Sequence, residues 1–149
     1  MKTQKFGKIH TCSLLLVFLF IAIISCNKNP YNRLLGTWEN KQPTYTETYI
    51  YDGINFDAGS YKMKVKSIIW SSGASGIIYG RYITNSFYTN VVGKYYAVSF
   101  KDLTDTSISI CGAYKEKGKI AADSLVEAIS EFTINNGYYG TYSSCKKVK

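Results

Sequence analysis

Short segments in which apolar and polar residues alternate run through this chain from Gly36 onward, and they constrain its fold more than any other feature. In residues 61–66, Tyr61, Met63 and Val65 alternate with lysines. A period of two residues is that of a β-strand with one buried face. No long helical segment intervenes to carry parallel crossovers, so we expect an antiparallel sheet.

Turn residues such as Asp52-Gly53 separate further strand candidates. These candidates cover residues 36–40, 44–51, 77–84, 94–102, 106–114 and 138–145. One helix is predicted near the end, because Ser124 and Glu127 fit a capping box and apolar residues follow at helical spacing until residues 135–137. So short a helix needs packing on the sheet, and we favour a helix that closes the core over one that gates it. The sequence predicts a mostly β fold with seven or eight short strands.

The first 25 residues are typical of a targeting segment. Three lysines open it, and the apolar stretch 14–24 is shorter than the roughly 20 residues that a membrane-spanning anchor, the alternative, would need. Residues 23–26 (Ile-Ile-Ser-Cys) resemble a bacterial lipobox, in which a signal peptidase cuts between Ser25 and Cys26. The resemblance implies that Cys26 receives diacylglycerol and that acyl chains hold the protein to a membrane.

This reading divides the chain into a signal peptide (1–25), a lipidated cysteine with a short tether (26–35) and a folded domain (36–149). The residue after Cys26 is Asn27, not the Asp that retains lipoproteins in the inner membrane of some bacteria. We therefore expect a lipid-anchored protein of the cell envelope, at the outer membrane, on its periplasmic or its surface face.

Composition after removal of the signal peptide limits the chemistry. Residues 26–149 hold 15 Lys and Arg against 10 Asp and Glu, and no histidine, because His10 lies in the signal peptide. The chain then lacks the commonest general base and the commonest metal ligand, so we expect no enzyme, no metal and no cofactor. Four acidic residues could supply a carboxylate pair, though no spacing singles one out: Glu39, Glu47, Asp52 and Asp57.

Basic residues gather near both ends of the domain: Lys28, Arg33, Lys146, Lys147 and Lys149. They are not interleaved with aromatic residues, so nucleic acid is not an expected partner. If the first and last strands of a barrel pair, both groups lie at the anchored pole, where an anionic membrane surface would attract them. The alternative is charge that serves solubility alone.

Two cysteines remain for the folded domain, Cys111 and Cys145, because Cys12 is removed and Cys26 is lipidated. In an oxidising envelope compartment a disulfide between them is expected. The alternative is two unpaired thiols.

Residues 34–39 (Leu-Leu-Gly-Thr-Trp-Glu) resemble the Gly-x-Trp opening of the lipocalin-like (calycin) β-barrels. The resemblance implies a closed antiparallel barrel with a short helical turn ahead of its first strand. It also implies that Gly36 and Trp38 close one end of the barrel, with Lys146 or Lys147 of the last strand over the Trp ring, and that the two cysteines pin the C-terminal segment. The chain is also similar to small spirochaete or Bacteroidetes-type lipoproteins of unassigned function.

Two functions follow for such a monomer. A barrel of this size either holds one small ligand or fills with side chains. The candidates for its inward, ligand-binding face are Tyr61, Met63, Val65, Tyr96, Val98, Phe100, Ile108 and Ile110. The first function is non-enzymatic binding of a small apolar or amphipathic ligand.

The alternative function is that of an interaction module, either an adhesin or a subunit of an envelope complex. Its basis is the 14 tyrosines of the chain, a residue type enriched at protein interfaces. The expected exposed faces are formed by Tyr45, Tyr49 and Tyr51 and by Tyr138, Tyr139 and Tyr142.

Overall fold

A computed structural model describes residues 29–148. The expectations for residues 1–28 and for Lys149, including signal cleavage and lipidation at Cys26, lie outside this range. In chain order the elements are α1 (Pro30–Leu34), β1 (Gly36–Lys41), β2 (Thr46–Tyr51), β3 (Asn55–Asp57), β4 (Tyr61–Ser72), β5 (Ser75–Asn85), a 3₁₀ helix (Thr89–Val91), β6 (Tyr95–Lys101), β7 (Ser107–Gly112), α2 (Leu125–Glu131) and β8 (Ser143–Lys147).

The eight strands form a closed barrel in which each strand is antiparallel to its neighbours in chain order. β8 completes the circle by pairing with β1, where Trp38 lies opposite Lys147 and Glu39 opposite Lys146. The predicted mostly β, antiparallel barrel with one short helix in its C-terminal half is confirmed. No helix of residues 29–148 is long and apolar enough to cross a membrane.

One end of the barrel is closed by Trp38, which is 1% exposed. Its Nε1 donates to the carbonyl oxygen of Leu34 in α1 at 3.0 Å. Lys147 places its Nζ 4.8 Å from the centre of the Trp38 ring and donates to the carbonyl oxygen of Arg33 at 3.2 Å. Gly36 has φ +124°, and a Cβ there would lie 2.8 Å from Lys147 Cε, so the position accommodates no side chain. Of the two lysines expected over the Trp ring, Lys147 is the one in place.

Strand boundaries differ from the expected ones in three places. The pattern predicts no strand at β3, because three residues are too few to show alternation. β4 continues to Ser72, although the alternation of the sequence breaks after residue 66. A register shift between Val65 and Ser67 restores the alternation of inward and outward side chains. The last strand begins at Ser143 instead of Tyr138, because the residues before it pack on the outside of the barrel.

Helix α2 begins at the predicted cap and ends earlier than predicted. The side chain of Ser124 accepts the backbone N–H of Glu127 at 3.1 Å. The helix ends at Glu131 because Phe132 leaves the helical conformation (φ −84°, ψ 71°) to become fully buried. Asn136 then donates through Nδ2 to the carbonyl oxygen of Glu131 at 2.7 Å, so it satisfies one of the helix's last carbonyls.

Residues 113–142 form a second layer over the outer face of the barrel, and α2 in this layer contacts β5 and β6. Tyr79 and Ala97 point outward from these strands, yet they are 2% and 0% exposed. The phenol of Tyr79 donates to the carbonyl oxygen of Phe132 at 3.2 Å. The predicted packing of the helix on the sheet is confirmed.

We expect the Trp38→Ala variant to lose about 3–5 kcal/mol of its free energy of unfolding, as is typical when a buried aromatic side chain is truncated. Urea unfolding followed by circular dichroism measures this loss. Phe87→Ala is the control, because Phe87 is 77% exposed and its loss should change the free energy of unfolding by no more than about 0.5 kcal/mol. Equal losses in the two variants would contradict the role of Trp38 in closing the barrel.

Candidate functional site, the open mouth of the barrel

The half of the barrel next to Trp38 is filled by side chains and encloses no space for a water molecule. The side chains around this filled region are those of Leu34, Trp38, Tyr51, Phe56, Ile78, Val98, Phe100, Ile108 and Ile110. Four of the expected ligand-binding residues are among them, and a fifth, Met63, is fully buried. Val65 is half-buried on β4 and packs against this core. A ligand therefore has no room in this half.

Three tyrosines form a cluster above the filled half. The ring centre of Tyr61 lies 5.8 Å from that of Tyr82 and 5.4 Å from that of Tyr96, and Tyr82 and Tyr96 stack at 5.1 Å. The phenol of Tyr96 donates to the carbonyl oxygen of Ala113 at 2.9 Å. Gly112 faces this cluster, and a Cβ there would lie 2.8 Å from the Tyr96 oxygen. Two of the expected ligand-binding residues, Tyr61 and Tyr96, thus lie at the open end.

Two clefts open at this end of the barrel, which we call the mouth. The wider cleft has a volume of about 550 Å³ and is lined by residues 46–49, residues 58–61 and Gly112. The other has a volume of about 490 Å³ and lies between Tyr49, the end of β7 and parts of residues 114–143. Tyr49 and Gly112 line both clefts, so the two form neighbouring parts of one mouth.

The wider cleft exists because β2 and β3 pair over a short distance. Ile50 pairs with Asp57 and Tyr51 with Phe56, and the pairing ends there. β2 continues to Thr46 alongside β1. The part of β2 nearest the mouth therefore has no strand on its other side.

Glu47 is the acidic side chain that enters the wider cleft. Its Oε2 accepts a hydrogen bond from Asn40 Nδ2 at 2.9 Å and one from the Tyr49 phenol at 3.4 Å. A hydrogen bond from the Ser143 side chain, together with those from Asn40 and Tyr49, lowers the pKa of Glu47. Glu47 is therefore a fixed, ionised carboxylate at neutral pH.

The other three acidic residues noted in the sequence lie apart from Glu47 and have local partners. Glu39 forms an ion pair with Lys41 at 3.3 Å, and Asp57 one with Lys62 at 3.7 Å. Asp52 accepts the backbone N–H of Asn55 in the β2–β3 turn. Each of these three carboxylates is therefore bonded to a group in its own part of the chain. No group of three or more His, Cys, Asp and Glu among residues 29–148 lies close enough to hold a metal ion.

Burial raises the pKa of the tyrosines around the mouth. The pKa of Tyr49 is raised to about 12, mainly because its phenol is removed from water. Burial raises the pKa of Tyr61, Tyr82 and Tyr96 above the usual value as well, and the neighbouring phenols add to the effect. All four side chains are neutral at physiological pH, so each offers an uncharged ring.

The expected disulfide between Cys111 and Cys145 is wrong, because both residues are free thiols. Cys145 pairs with Ile108 across β7 and β8, so its side chain points into the barrel. Cys111 lies three residues farther along β7, which places it on the outer face and about 10 Å along the strand. A disulfide needs Cα atoms within about 7 Å. Burial raises the pKa of Cys145 to about 11 and also raises that of Cys111.

The expected exposed tyrosine faces are wrong in part, since Tyr139 and Tyr142 are half-buried and three of the other four are turned inward or buried. Tyr49 lies opposite Trp38 and points into the barrel, and Tyr51, on the same strand face, is 6% exposed. Tyr138, which belongs to the second layer, is 1% exposed. Tyr45, in the turn before β2, is the exposed member of its group at 57%.

Sequence reasoning missed three parts of the mouth: Tyr82, Gly112 and the role of Glu47. Tyr82 falls within a predicted strand and shares a face with Ile78, so the alternation of that strand could have identified it. Gly112 lies within the predicted strand 106–114 and ends the observed β7, and nothing in the pattern shows that two tyrosines approach it.

We expect the free energy of unfolding to fall as the pH rises above about 9, where the thiols of Cys111 and Cys145 ionise in the unfolded chain before they do so in the folded one. It should fall further above about 10, the usual tyrosine pKa. In the folded protein the phenol of Tyr49 ionises near pH 12, whereas in the unfolded chain it ionises near 10, so alkali favours the unfolded chain. Urea unfolding at about pH 8 and pH 11 measures the difference. The Tyr49→Phe variant should lose less stability over this interval, and equal losses would contradict the assignment.

A likeness in fold connects the chain to a solved structure, the crystal structure of Treponema pallidum Tp0751 (pallilysin). The TM-score is 0.50 at 10% sequence identity, and the match covers 96% of this chain and 98% of that one. Tp0751 is a spirochaete protein. No family model and no curated protein matches the chain. At this identity the likeness shows a shared barrel fold.

Proposed function

We propose that this chain is a non-enzymatic, lipid-anchored lipoprotein of the cell envelope that binds a small amphipathic ligand at the mouth of its barrel. The observation that carries the proposal is the wider cleft, where the carboxylate of Glu47 and the rings of Tyr49 and Tyr61 line a space of about 550 Å³. The rest of the lining is small or polar, with Thr46, Thr48 and Ser60 among it, and polar groups that converge on a concavity fix the orientation of a small molecule.

The filled half of the barrel limits the ligand. Trp38, Phe100 and their neighbours leave no space for a water molecule, so a long acyl chain cannot extend toward the closed end. A short apolar body can instead contact the ring of Tyr61, while a polar group reaches Glu47. The ligand class is therefore a compact amphiphile and not a fatty acid.

The position of α1 supports an orientation for the anchored protein. α1 lies at the closed end, where Trp38 bonds to Leu34, and Cys26 comes shortly before it in the sequence. Acyl chains on Cys26 would hold the closed end near the bilayer, with the mouth facing away from it. Lys147 packs over the ring of Trp38 and donates to the carbonyl oxygen of Arg33. Lys146 is therefore the exposed basic residue of β8 that would contact an anionic surface.

An interaction module remains the second candidate, and one observation favours it. Phe87 and Tyr88, adjacent in the β5–β6 loop, are 77% and 52% exposed. Exposed aromatic side chains in a loop are typical of protein-binding surfaces. In this function the loop, and not the mouth, contacts the partner.

We expect the neutral amphiphile N-phenyl-1-naphthylamine to bind the full chain and to bind the Tyr61→Leu variant roughly 2–10-fold more weakly, because an aromatic contact is worth about 0.5–1.5 kcal/mol. Probe fluorescence gives both affinities, and thermal unfolding checks that the variant folds. The control is Phe87→Leu, which should bind as the original chain does. Absence of binding would contradict the mouth as a ligand site, and weakening by Phe87→Leu alone would favour the interaction module.

For the anchor, we expect Cys26→Ser to abolish acylation and to release the protein from the membrane fraction of a bacterial host. Mass spectrometry of the purified protein and fractionation of cells measure the two effects. Cys12→Ser is the matched control, because Cys12 lies within the segment that cleavage removes. Acyl groups that persist in the Cys26→Ser variant would refute lipidation at this residue.

A further inference from the structure

The wider cleft of the mouth carries a negative charge in a basic protein. Its lining residues include Glu47 and no Lys or Arg, although the chain has 18 Lys and Arg against 10 Asp and Glu. From this cleft we propose that the mouth selects ligands that bear a primary ammonium group, with the ammonium at Glu47 and the apolar body on the rings of Tyr49 and Tyr61. This inference rests on the proposed function and names its ligand class.

The carboxylate of Glu47 is held in place without being neutralised. Its hydrogen-bond donors, Asn40, Tyr49 and Ser143, are uncharged side chains. None of the ion pairs between residues 29 and 148 involves Glu47. Neutral donors fix the position of a carboxylate but leave its charge available, and a charged partner forms a stronger hydrogen bond with it than a neutral one.

The backbone of β2 adds further acceptors. Asp52 donates its backbone N–H to Asn55 across the β2–β3 turn at 3.2 Å. In an antiparallel pair the backbone groups that point to one neighbour recur at every second residue. Those of Thr48 and Thr46 therefore point toward the place where β3 has ended, and both residues line the cleft. Their carbonyl oxygens and their N–H groups both face the same space as the Glu47 side chain, so the carbonyl oxygens are within this space as acceptors.

A primary ammonium group matches this set of acceptors. It has three N–H donors and no acceptor, so it can bond to the carboxylate and to a backbone carbonyl together. The faces of neutral tyrosine rings also attract a cation, and the phenols of Tyr49 and Tyr61 are neutral because burial raises their pKa. A carboxylate ligand of the same size would be repelled by Glu47.

The second cleft supplies an internal contrast. Its lining includes both Lys115 and Glu116, so the charges there favour neither sign. The preference for a cation is thus assigned to the wider cleft, between β2 and the β3–β4 turn.

Three probes with the same aromatic skeleton test the inference in the full chain: 2-phenylethylamine, 2-phenylethanol and 3-phenylpropionate. Competition with N-phenyl-1-naphthylamine gives their affinities. We expect the amine to bind at least about tenfold more tightly than the carboxylate, in line with a hydrogen bond to a charged group. The Glu47→Gln variant keeps the size of the side chain and should lose this preference, so that the amine binds no more tightly than the carboxylate, while thermal unfolding checks that the variant folds.

Glu39→Gln is the matched control, because Glu39 lies on the outer face of the neighbouring strand, beside Lys41. It changes the net charge equally and should keep the preference for the amine. If the probes bind with no preference for the amine, or if the preference survives Glu47→Gln, the inference is overturned and the proposed function stands. If none of the probes, N-phenyl-1-naphthylamine included, binds the original chain, both are overturned.

Discussion

The pairing of β1 with β8 joins Trp38 to Lys147 and Glu39 to Lys146, and one more backbone hydrogen bond runs from the N–H of Val148 to the carbonyl oxygen of Thr37. These few backbone hydrogen bonds contribute little to the net free energy of folding. The closure of the barrel therefore depends on the side chains beneath them. The ring of Trp38 fills the end of the barrel, its nitrogen bonds to α1, and Lys147 covers it. Together these contacts hold both ends of the described chain at one pole.

The same arrangement explains why the opposite pole is open. The β2–β3 pairing is as short as that of β1 with β8, and it also lies on the side of the closed end, at Ile50 and Tyr51. Beyond these pairs the strands separate, and side chains no longer meet across the interior. Both short pairings lie at the pole that Trp38 closes. The half of the barrel at this pole is therefore filled, and the opposite half has clefts.

The abundance of tyrosine is explained largely by two buried layers. Inside the barrel, Tyr51 donates to the carbonyl oxygen of Gly53 at 3.3 Å, and Tyr96 donates to that of Ala113. Outside it, Tyr79 and Tyr139 donate to the same carbonyl oxygen of Phe132. A buried Tyr adds a large ring and needs one hydrogen-bond partner, which irregular backbone around the barrel supplies. Most of these side chains therefore stabilise the fold, and Tyr61 of the cluster at the mouth also lines the wider cleft.

The features that the sequence predicts are those that depend on local pattern. Alternation in residues 61–66 identifies β4, and the Gly-x-Trp segment places Trp38 at the closed end. Pattern does not reveal which face of residues 44–51 is inside, because threonine and tyrosine are both common on either face of a strand. Nor does it show that Cys145 lies opposite Ile108, since that register depends on how residues 113–142 cross the outside of the barrel.

Glu47 shows the limit of sequence reasoning most clearly. In the sequence it is one acid in a strand rich in threonine and tyrosine, with nothing to distinguish it from Glu39 on the strand before. Glu47 stands out because β3 ends early and leaves it at the edge of a cleft that, among residues 29–148, no Lys or Arg lines. That β2 has no strand on its other side at Glu47, away from β1, is a property of the closed barrel as a whole. A binding site formed in this way becomes visible only when the strands are paired.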